Sequence, residues 1–297
     1  MSALEVVATG ALTTPQDLGR PGLAGLGVAE SGALDPGALR LANRLVGNAE
    51  DVTGLEVTLG GLALRARGEV LLAVTGAPVD VTVATSAGRR THGVGAAVSV
   101  PDGAEVRLGS PGAGLRSWVA VRGGVDVDRP LGSASTDVLA GLGAPLAPGD
   151  VLEVGPPPDD APPALDQAPL ATPTDGTVVL RVVLGPRDDW FTDDALAALR
   201  RPWTVDARSN RVGLRLDGPA LERSPAYADA ELPSEGTVAG AVQVAANGLP
   251  VLFLADHPVT GGYPVVACVV TEDLPLAAQA VPGQEVRFRT VKGPRLP

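Results

Sequence analysis

Apolar positions along this chain gather in short β-branched runs broken by Gly, Pro and Asp, not in long helical stripes. VLLAV (Val70 to Val74), VDVTVA (Val79 to Ala84), SWVAV (Ser117 to Val121), VVLRVVL (Val178 to Leu184), VLFLA (Val251 to Ala255) and VVACVV (Val265 to Val270) either alternate with polar residues or run continuously. Half-buried and fully buried strands produce these two patterns. They predict a mainly β protein of sandwich or barrel type with a few short helices. One helix is marked by Asp35-Pro36 ahead of GALRLANRLVGN: an N-cap, a proline at the first helical position, apolar Leu39, Ala42 and Val46, and Gly47 as a stop. A second is expected near Thr192 to Leu199, with acids in its first turn and an end before Pro202.

Between the two halves, Gly155 to Gly176 carries seven prolines and no aromatic residue, a composition that supports neither a ladder nor a packed helix. The chain therefore divides, as a sequence, into a β domain over residues 1–155, a Pro-rich linker over 156–176 and a second β domain over 177–297. PGDVLEV (Pro148 to Val154) and PGQEVRF (Pro282 to Phe288) both read as a type II turn feeding a strand, which suggests two related domains.

Composition narrows the chemistry. With 45% hydrophobic residues the 297-residue chain can bury a full core, and its net charge of −11 is scattered along the chain. That field repels phosphate backbones and anionic lipid, so neither nucleic acid nor a membrane is an expected partner. No apolar run approaches the roughly 20 residues that cross a bilayer, and Met1-Ser2-Ala3-Leu4-Glu5 lacks the order of a signal peptide, so a cytoplasmic location is expected. Lys292 is the sole lysine and Met1 the sole methionine. This leaves no P-loop, no internal Schiff-base lysine and no lysine set between methionines to carry biotin. His92, His257 and Cys268 lack the short spacings of metal ligands, so no metal site is expected. Cys268, inside VVACVV, reads as a small buried hydrophobe, and His92, in AGRRTHGVG, as a solvated turn residue.

Candidate chemistry lies in the polar breaks between strands. In LADHPVTGGYPVV, Asp256 and His257 leave the strand VLFLA, and Gly261-Gly262 permit positive φ or close approach of a ligand. The Asp256 carboxylate can orient or charge His257, which then serves as general base or hydrogen-bond donor; the alternative is that both merely satisfy turn backbone groups. RSNRVG (Arg208 to Gly213) offers two guanidiniums and an amide suited to carboxylate or phosphate, or else is a solvated hairpin loop. ELPSEG (Glu231 to Gly236) supplies a carboxylate and a hydroxyl, or else is an ordinary acidic loop. Gly19-Arg20-Pro21-Gly22 with Glu30-Ser31-Gly32-Ala33-Leu34-Asp35-Pro36 is Gly-rich and ends at a helix N-terminus, a natural anion site, although capping alone accounts for Asp35.

In chain order, GRPGLAGLGVAESGALDPGALRLANRLVGN, RSWVAVRGGVDVDRPLGSASTD, GPRDDWFTDDAL, RSNRVGLRLDGP, ELPSEGTVAGAVQV and LADHPVTGGYPVVA resemble the biotin-dependent carboxyltransferase family, also called the allophanate hydrolase subunit 2 family. The family includes the C-type subunit of bacterial ATP-dependent 5-oxoprolinase. The resemblance spans nearly the whole chain, least in the proline segment, and implies two cyclophilin-like β-barrel domains. It further implies a component of a heteromeric enzyme that opens 5-oxo-L-proline to L-glutamate with ATP in the assembled complex. The partners implied are a protein similar to allophanate hydrolase subunit 1 (the B-type subunit of 5-oxoprolinase) and an A-type subunit from the lactam-utilisation family. Its substrate would be a small anionic amide or lactam, with Asp256 and His257 handling protons. Arg208, Asn210, Ser234, Glu235, Thr260, Gly261, Gly262 and Tyr263 would bind substrate, and Arg20 and Ser31 would bind an anion. Two other roles occur in the family: carboxyl transfer to urea or a related amide from a separate biotin carrier, since this chain cannot hold biotin covalently, and non-catalytic control of a sporulation kinase.

Overall fold

A computed structural model describes residues 2–293, which fall into two compact units, one of residues 2–20 and 31–173, the other of residues 21–30 and 174–293. The first holds β1 (Ala3–Thr9), β2 (Leu12–Gln16), α1 (Pro36–Leu45), β3 (Gly54–Thr58), β4 (Leu62–Arg67), β5 (Val70–Gly76), β6 (Val81–Thr85), β7 (Gly88–His92), β8 (Ala97–Val100), β9 (Glu105–Leu108), β10 (Arg116–Val121), β11 (Val125–Asp126) and β12 (Val151–Val154). They form a seven-stranded sheet, β11-β12-β1-β4-β9-β6-β7, and a five-stranded sheet, β2-β3-β10-β5-β8. Leu4, Leu64 and Val106 from the first sheet share one core with Leu55, Leu72 and Val119 from the second, so the apolar faces of both sheets meet. Helix α1 lies where its sequence places it. Asp35 accepts from the Ala38 N–H at 2.9 Å, Leu39 and Ala42 are buried, and Gly47 takes a left-handed φ of 75°.

One sequence reading changes in this unit. His92 ends a strand, not a turn: β7 pairs with β6, with His92 opposite Val81. GRRTH has no apolar alternation to reveal it because β7 is an edge strand whose residues face solvent. The proline segment forms no ladder, and residues 156–173 group with the first unit. Ala168 is buried and its N–H donates to the Gly95 carbonyl at 2.8 Å. Arg122 Nη2 donates to the carbonyls of Pro158 (2.6 Å) and Asp160 (2.5 Å). Carbonyls that no strand uses are thus taken up by one arginine.

The second unit contains β13 (Val178–Leu184), α2 (Asp193–Ala198), β14 (Pro202–Val205), β15 (Gly213–Asp217), β16 (Glu235–Gly236), β17 (Ala241–Val244), β18 (Pro250–Phe253), β19 (Thr260–Gly261), β20 (Val265–Val269), α3 (Leu274–Ala278) and β21 (Glu285–Thr290). Seven of the strands close into a barrel in the order β13-β20-β17-β18-β15-β14-β21, sealed by the parallel β13–β21 pair. Strict alternation fills it: Val178, Leu180 and Val182 point inward from β13, as do Leu214 and Leu216 from β15 and Val286 and Phe288 from β21. Among the described residues no helix is long and apolar enough to cross a membrane.

The same corner recurs in both units. In Ala147-Pro148-Gly149-Asp150 and Val281-Pro282-Gly283-Gln284 the fourth N–H donates to the first carbonyl (3.1 and 3.0 Å), and the glycines have φ of 96° and 84°. Each glycine N–H also donates to a neighbouring strand, to Val6 or Val205 at 2.8 Å. Each of these strand residues donates back, to Asp150 at 2.8 Å or Gln284 at 3.0 Å. The same bonds recur a third time at Pro101-Asp102-Gly103-Ala104, docked on Ala66. That copy hides from a search for Pro-Gly because its proline stands one place earlier. A Cβ on Gly149 or Gly283 would meet no atom within 4 Å, so Gly149→Ala and Gly283→Ala impose backbone strain alone. Each substitution is expected to lower the unfolding free energy by about 1–2 kcal/mol, read from urea midpoints at unchanged slope.

Candidate functional site

Register fixes which side chains leave the barrel. Val242, Leu252 and Ala267 are paired partners that face inward, so Ala241, Gln243, Val251, Phe253 and Cys268 face outward. Ala241, Phe253 and Val265 form an outer apolar cluster with Val251 and Cys268 packed against it. Burial raises the Cys268 thiol pKa, which disfavours the thiolate there.

Three of the polar segments from the sequence adjoin this wall. ELPSEG and the Thr-Gly-Gly-Tyr stretch meet as the β16–β19 ladder, Glu235 opposite Gly261 and Gly236 opposite Thr260. Gln243 secures it, donating from Nε2 to the Tyr263 carbonyl at 3.0 Å. This explains Gly261: a Cβ there would lie 2.7 Å from Gln243 Nε2. Neither Gly261 nor Gly262 has a positive φ, so the expectation of a left-handed turn is corrected, and the close approach at Gly261 is made by the chain's own amide. Ser234, Thr260 and Gly262 are exposed, and Tyr263 is 45% exposed.

His257 is buried and its ring stacks on Phe253 with centroids 5.9 Å apart. Its Nδ1 lies 2.8 Å from the Pro258 carbonyl. A carbonyl only accepts, so Nδ1 carries the proton and Nε2 is the nitrogen of the neutral ring that can take one. The Thr237 hydroxyl donates to the same carbonyl and lies 3.3 Å from Nδ1.

Asp256 is bonded to a residue far away in sequence. Its carboxylate receives Arg211 Nε at 2.8 Å and Nη2 at 2.9 Å, and both residues are buried. The Asp256 N–H donates to the Arg211 carbonyl at 3.1 Å, so the pair staples RSNRVG to LADH. These bonds hold in place the loop that carries His257.

Arg208 is exposed and tied bidentately to Asp206, and these bonds hold the Asp206 carboxyl down to about 2. Asn210 closes the turn into β15, its Oδ1 accepting from Val212 N–H at 2.9 Å. Glu235 is half-buried and paired bidentately with Arg187, which sequence reading missed. The signal was present in GPRDDW, where a Gly-Pro break follows an apolar strand. Gly185 is required there because a Cβ would lie 2.4 Å from the Val265 carbonyl oxygen, and the Arg187 N–H then bonds to that carbonyl at 3.2 Å. The wall thus presents an imidazole of fixed tautomer, a half-exposed guanidinium–carboxylate pair and an exposed phenol. These groups can move a proton and recognise a carboxylate or amide.

Arg20 and Ser31 belong to the other unit, in a buried polar cluster built on Asp17. Asp17 accepts from the hydroxyls of Ser133 (2.5 Å) and Ser135 (2.6 Å), the N–H groups of Gly19 and Ala134, and Arg129 Nη2. Burial alone would raise its pKa, but these hydrogen bonds outweigh burial and hold the carboxyl below its ordinary value. Ser31, at φ 57°, directs its hydroxyl to the Thr136 carbonyl. The N-terminus of α1 is already capped by Asp35, whose own pKa burial raises.

Two outcomes follow from these contacts. Arg211→Met strands a buried carboxylate and is expected to cost about 3–5 kcal/mol in chemical denaturation, while Arg211→Met with Asp256→Leu recovers most of the loss. A carboxyl with a depressed folded pKa stabilises fully above its unfolded value and loses that contribution as pH falls. Wild-type unfolding free energy is thus expected to drop more steeply than that of Asp17→Asn below about pH 4, followed by urea titrations across that range.

Comparison with known proteins agrees with this architecture. Residues 26–290 match the family described as carboxyltransferase domain, subdomain A and B. The chain is 36% identical over 290 residues to the C-type subunit of 5-oxoprolinase from Escherichia coli (strain K12), covering 96% of this chain and 90% of that one. Among solved structures, TTHA0988 superposes with a TM-score of 0.84 at 36% identity, covering 97% of this chain and 56% of that one. The K. lactis urea amidolyase superposes with a TM-score of 0.88 at 30% identity, covering 98% of this chain and 19% of that one. The chain thus spans about half of the first solved relative and about a fifth of the second. With its barrel, its ordered motifs and a match over most of its length, the chain belongs to the carboxyltransferase subdomain A and B family.

Proposed function

We propose that this chain is a subunit of an ATP-dependent 5-oxoprolinase that opens 5-oxo-L-proline to L-glutamate together with partner subunits. The observation that carries this reading is the 36% identity to the C-type subunit of E. coli 5-oxoprolinase, which runs through 96% of this chain and 90% of that one. The matched region forms only 56% of the TTHA0988 chain, which supports a working unit containing further polypeptide. Here that polypeptide would be a protein similar to allophanate hydrolase subunit 1, with a member of the lactam-utilisation family completing the assembly.

A lactam carbonyl is a poor electrophile, and phosphorylation by ATP supplies the leaving group that its oxygen lacks. The rest is a problem of binding a small anion, excluding stray water and managing protons. His257, with Nδ1 committed to Pro258, offers Nε2 to accept or return a proton at the ring nitrogen. Arg187 already presents its guanidinium to a carboxylate and can exchange Glu235 for that of the substrate. Tyr263 and Thr260 border the same face.

A second reading is carboxyl transfer to urea or a related amide from a separate biotin carrier. It is favoured by the TM-score of 0.88 to the K. lactis urea amidolyase. Reconstitution with candidate partners separates the two. ATP-dependent glutamate release from 5-oxo-L-proline is expected, and His257→Ala should lower kcat by about 100-fold or more with its thermal unfolding unchanged. Urea-dependent ATP consumption in the presence of a biotin carrier, with no glutamate formed, would establish the second reading instead.

A further inference from the structure

Three arginines are buried among the described residues: Arg20, Arg116 and Arg211. Two are matched by buried carboxylates, Arg116 by Glu56 and Arg211 by Asp256. Arg20, only 3% exposed, has no carboxylate within ion-pair distance among the described residues. Its Nη2 donates to the Ser133 and Ser135 carbonyls, while Nε and Nη1 have no acceptor. The nearby Asp17 is committed to Ser133, Ser135 and Arg129. A guanidinium cannot lose its proton to relieve burial, and buried charges are ordinarily paired. The fold therefore keeps a full positive charge inside with two nitrogens still to be satisfied.

Two further features mark the same cluster. Gln16 Oε1, fully buried, also lacks a donor, while its Nε2 bonds to the Thr136 carbonyl, one residue beyond the Ser135 carbonyl that holds Arg20. Ser31 is held at φ 57°, a conformation that a non-glycine residue adopts only at a cost. Its hydroxyl directs to the same Thr136 carbonyl.

We propose that Arg20 anchors a binding site for a small carboxylate within the first unit, the ligand supplying the counter-charge that the chain withholds. Its existence does not depend on which reaction the assembly performs. A small molecule is favoured over a protein side chain because Arg20 is almost entirely enclosed.

The test uses the full chain, labelled with nitrogen-15, and follows the Arg20 Nε–H resonance, assigned by its disappearance in Arg20→Lys. Titration with 5-oxo-L-proline, and separately with acetate, is made at constant ionic strength in sodium chloride. The neutral amide of 5-oxo-L-proline serves as the control. A saturable shift is expected with at least one carboxylate, at a concentration about tenfold or more below that needed for the neutral amide. In calorimetry Arg20→Lys should weaken that binding about tenfold or more, since a lysine lacks the planar fork. If Arg20→Lys does not fold, specific labelling of arginine and the amide control still decide the matter in the wild-type chain. An Arg20 resonance unmoved by either carboxylate up to its solubility would overturn the proposal. So would equal movement by chloride alone, or movement only when a partner protein is added. A shift with no ATP-dependent glutamate release in the reconstituted complex would leave this site standing and remove the 5-oxoprolinase reading.

Discussion

The second unit depends on one pairing, the parallel run of β13 beside β21 from Val178 opposite Val286 to Val182 opposite Thr290. A sheet of this size left open would expose two edges and let water reach half of its interior. Closed, it removes both edges and makes inside and outside unambiguous for every residue on every strand. The outward side chains of β17 and β18 gain their meaning from this. Gln243 and Phe253 can only serve as the floor for whatever the loops lay over them, and those loops bring Glu235, His257 and Tyr263 to one wall.

Charge is placed with the same economy but at two depths. Arg211 and Asp256 are sealed from solvent, where an ion pair contributes little net stability but fixes one arrangement of two loops. Arg187 and Glu235 are each about one-third exposed, where water screens their attraction. The buried pair thus fixes two loops, and the half-open pair is held less tightly. Asp17 shows a third arrangement, in which hydroxyls and backbone N–H groups stabilise a carboxylate more than its burial opposes it.

The fold was largely legible in the sequence because alternation is a local property. VVLRVVL is a strand over the same seven residues, and the Asp35-Pro36 start and Gly47 stop of α1 need only nearest neighbours to be read. Edge strands such as GRRTH were not legible, since solvent on both faces erases the alternation. The candidate site is legible as a set of loops but not as a set of contacts. Asp256 and His257 are neighbours in sequence, yet the partner that claims the carboxylate is Arg211, 45 residues away. Gly261 looked like a residue kept small for a ligand, and the atom that keeps it small is Gln243 Nε2. Composition marked the proline segment as unable to form a ladder, but could not show that Arg122 would collect its carbonyls.

Barrel closure also has an implication in time. Both β13 and β14, the first strands of the second unit, pair with β21, the last of its strands. During synthesis the strands between them can pair with one another as they emerge from the ribosome, but the two ends of the sheet must wait for residues 285–290. For that interval the nascent chain carries two unsatisfied β edges with Val179 and Arg181 on one and Trp203 on the other. Premature termination short of β21 would leave those edges open permanently and convert a closed barrel into a template for association.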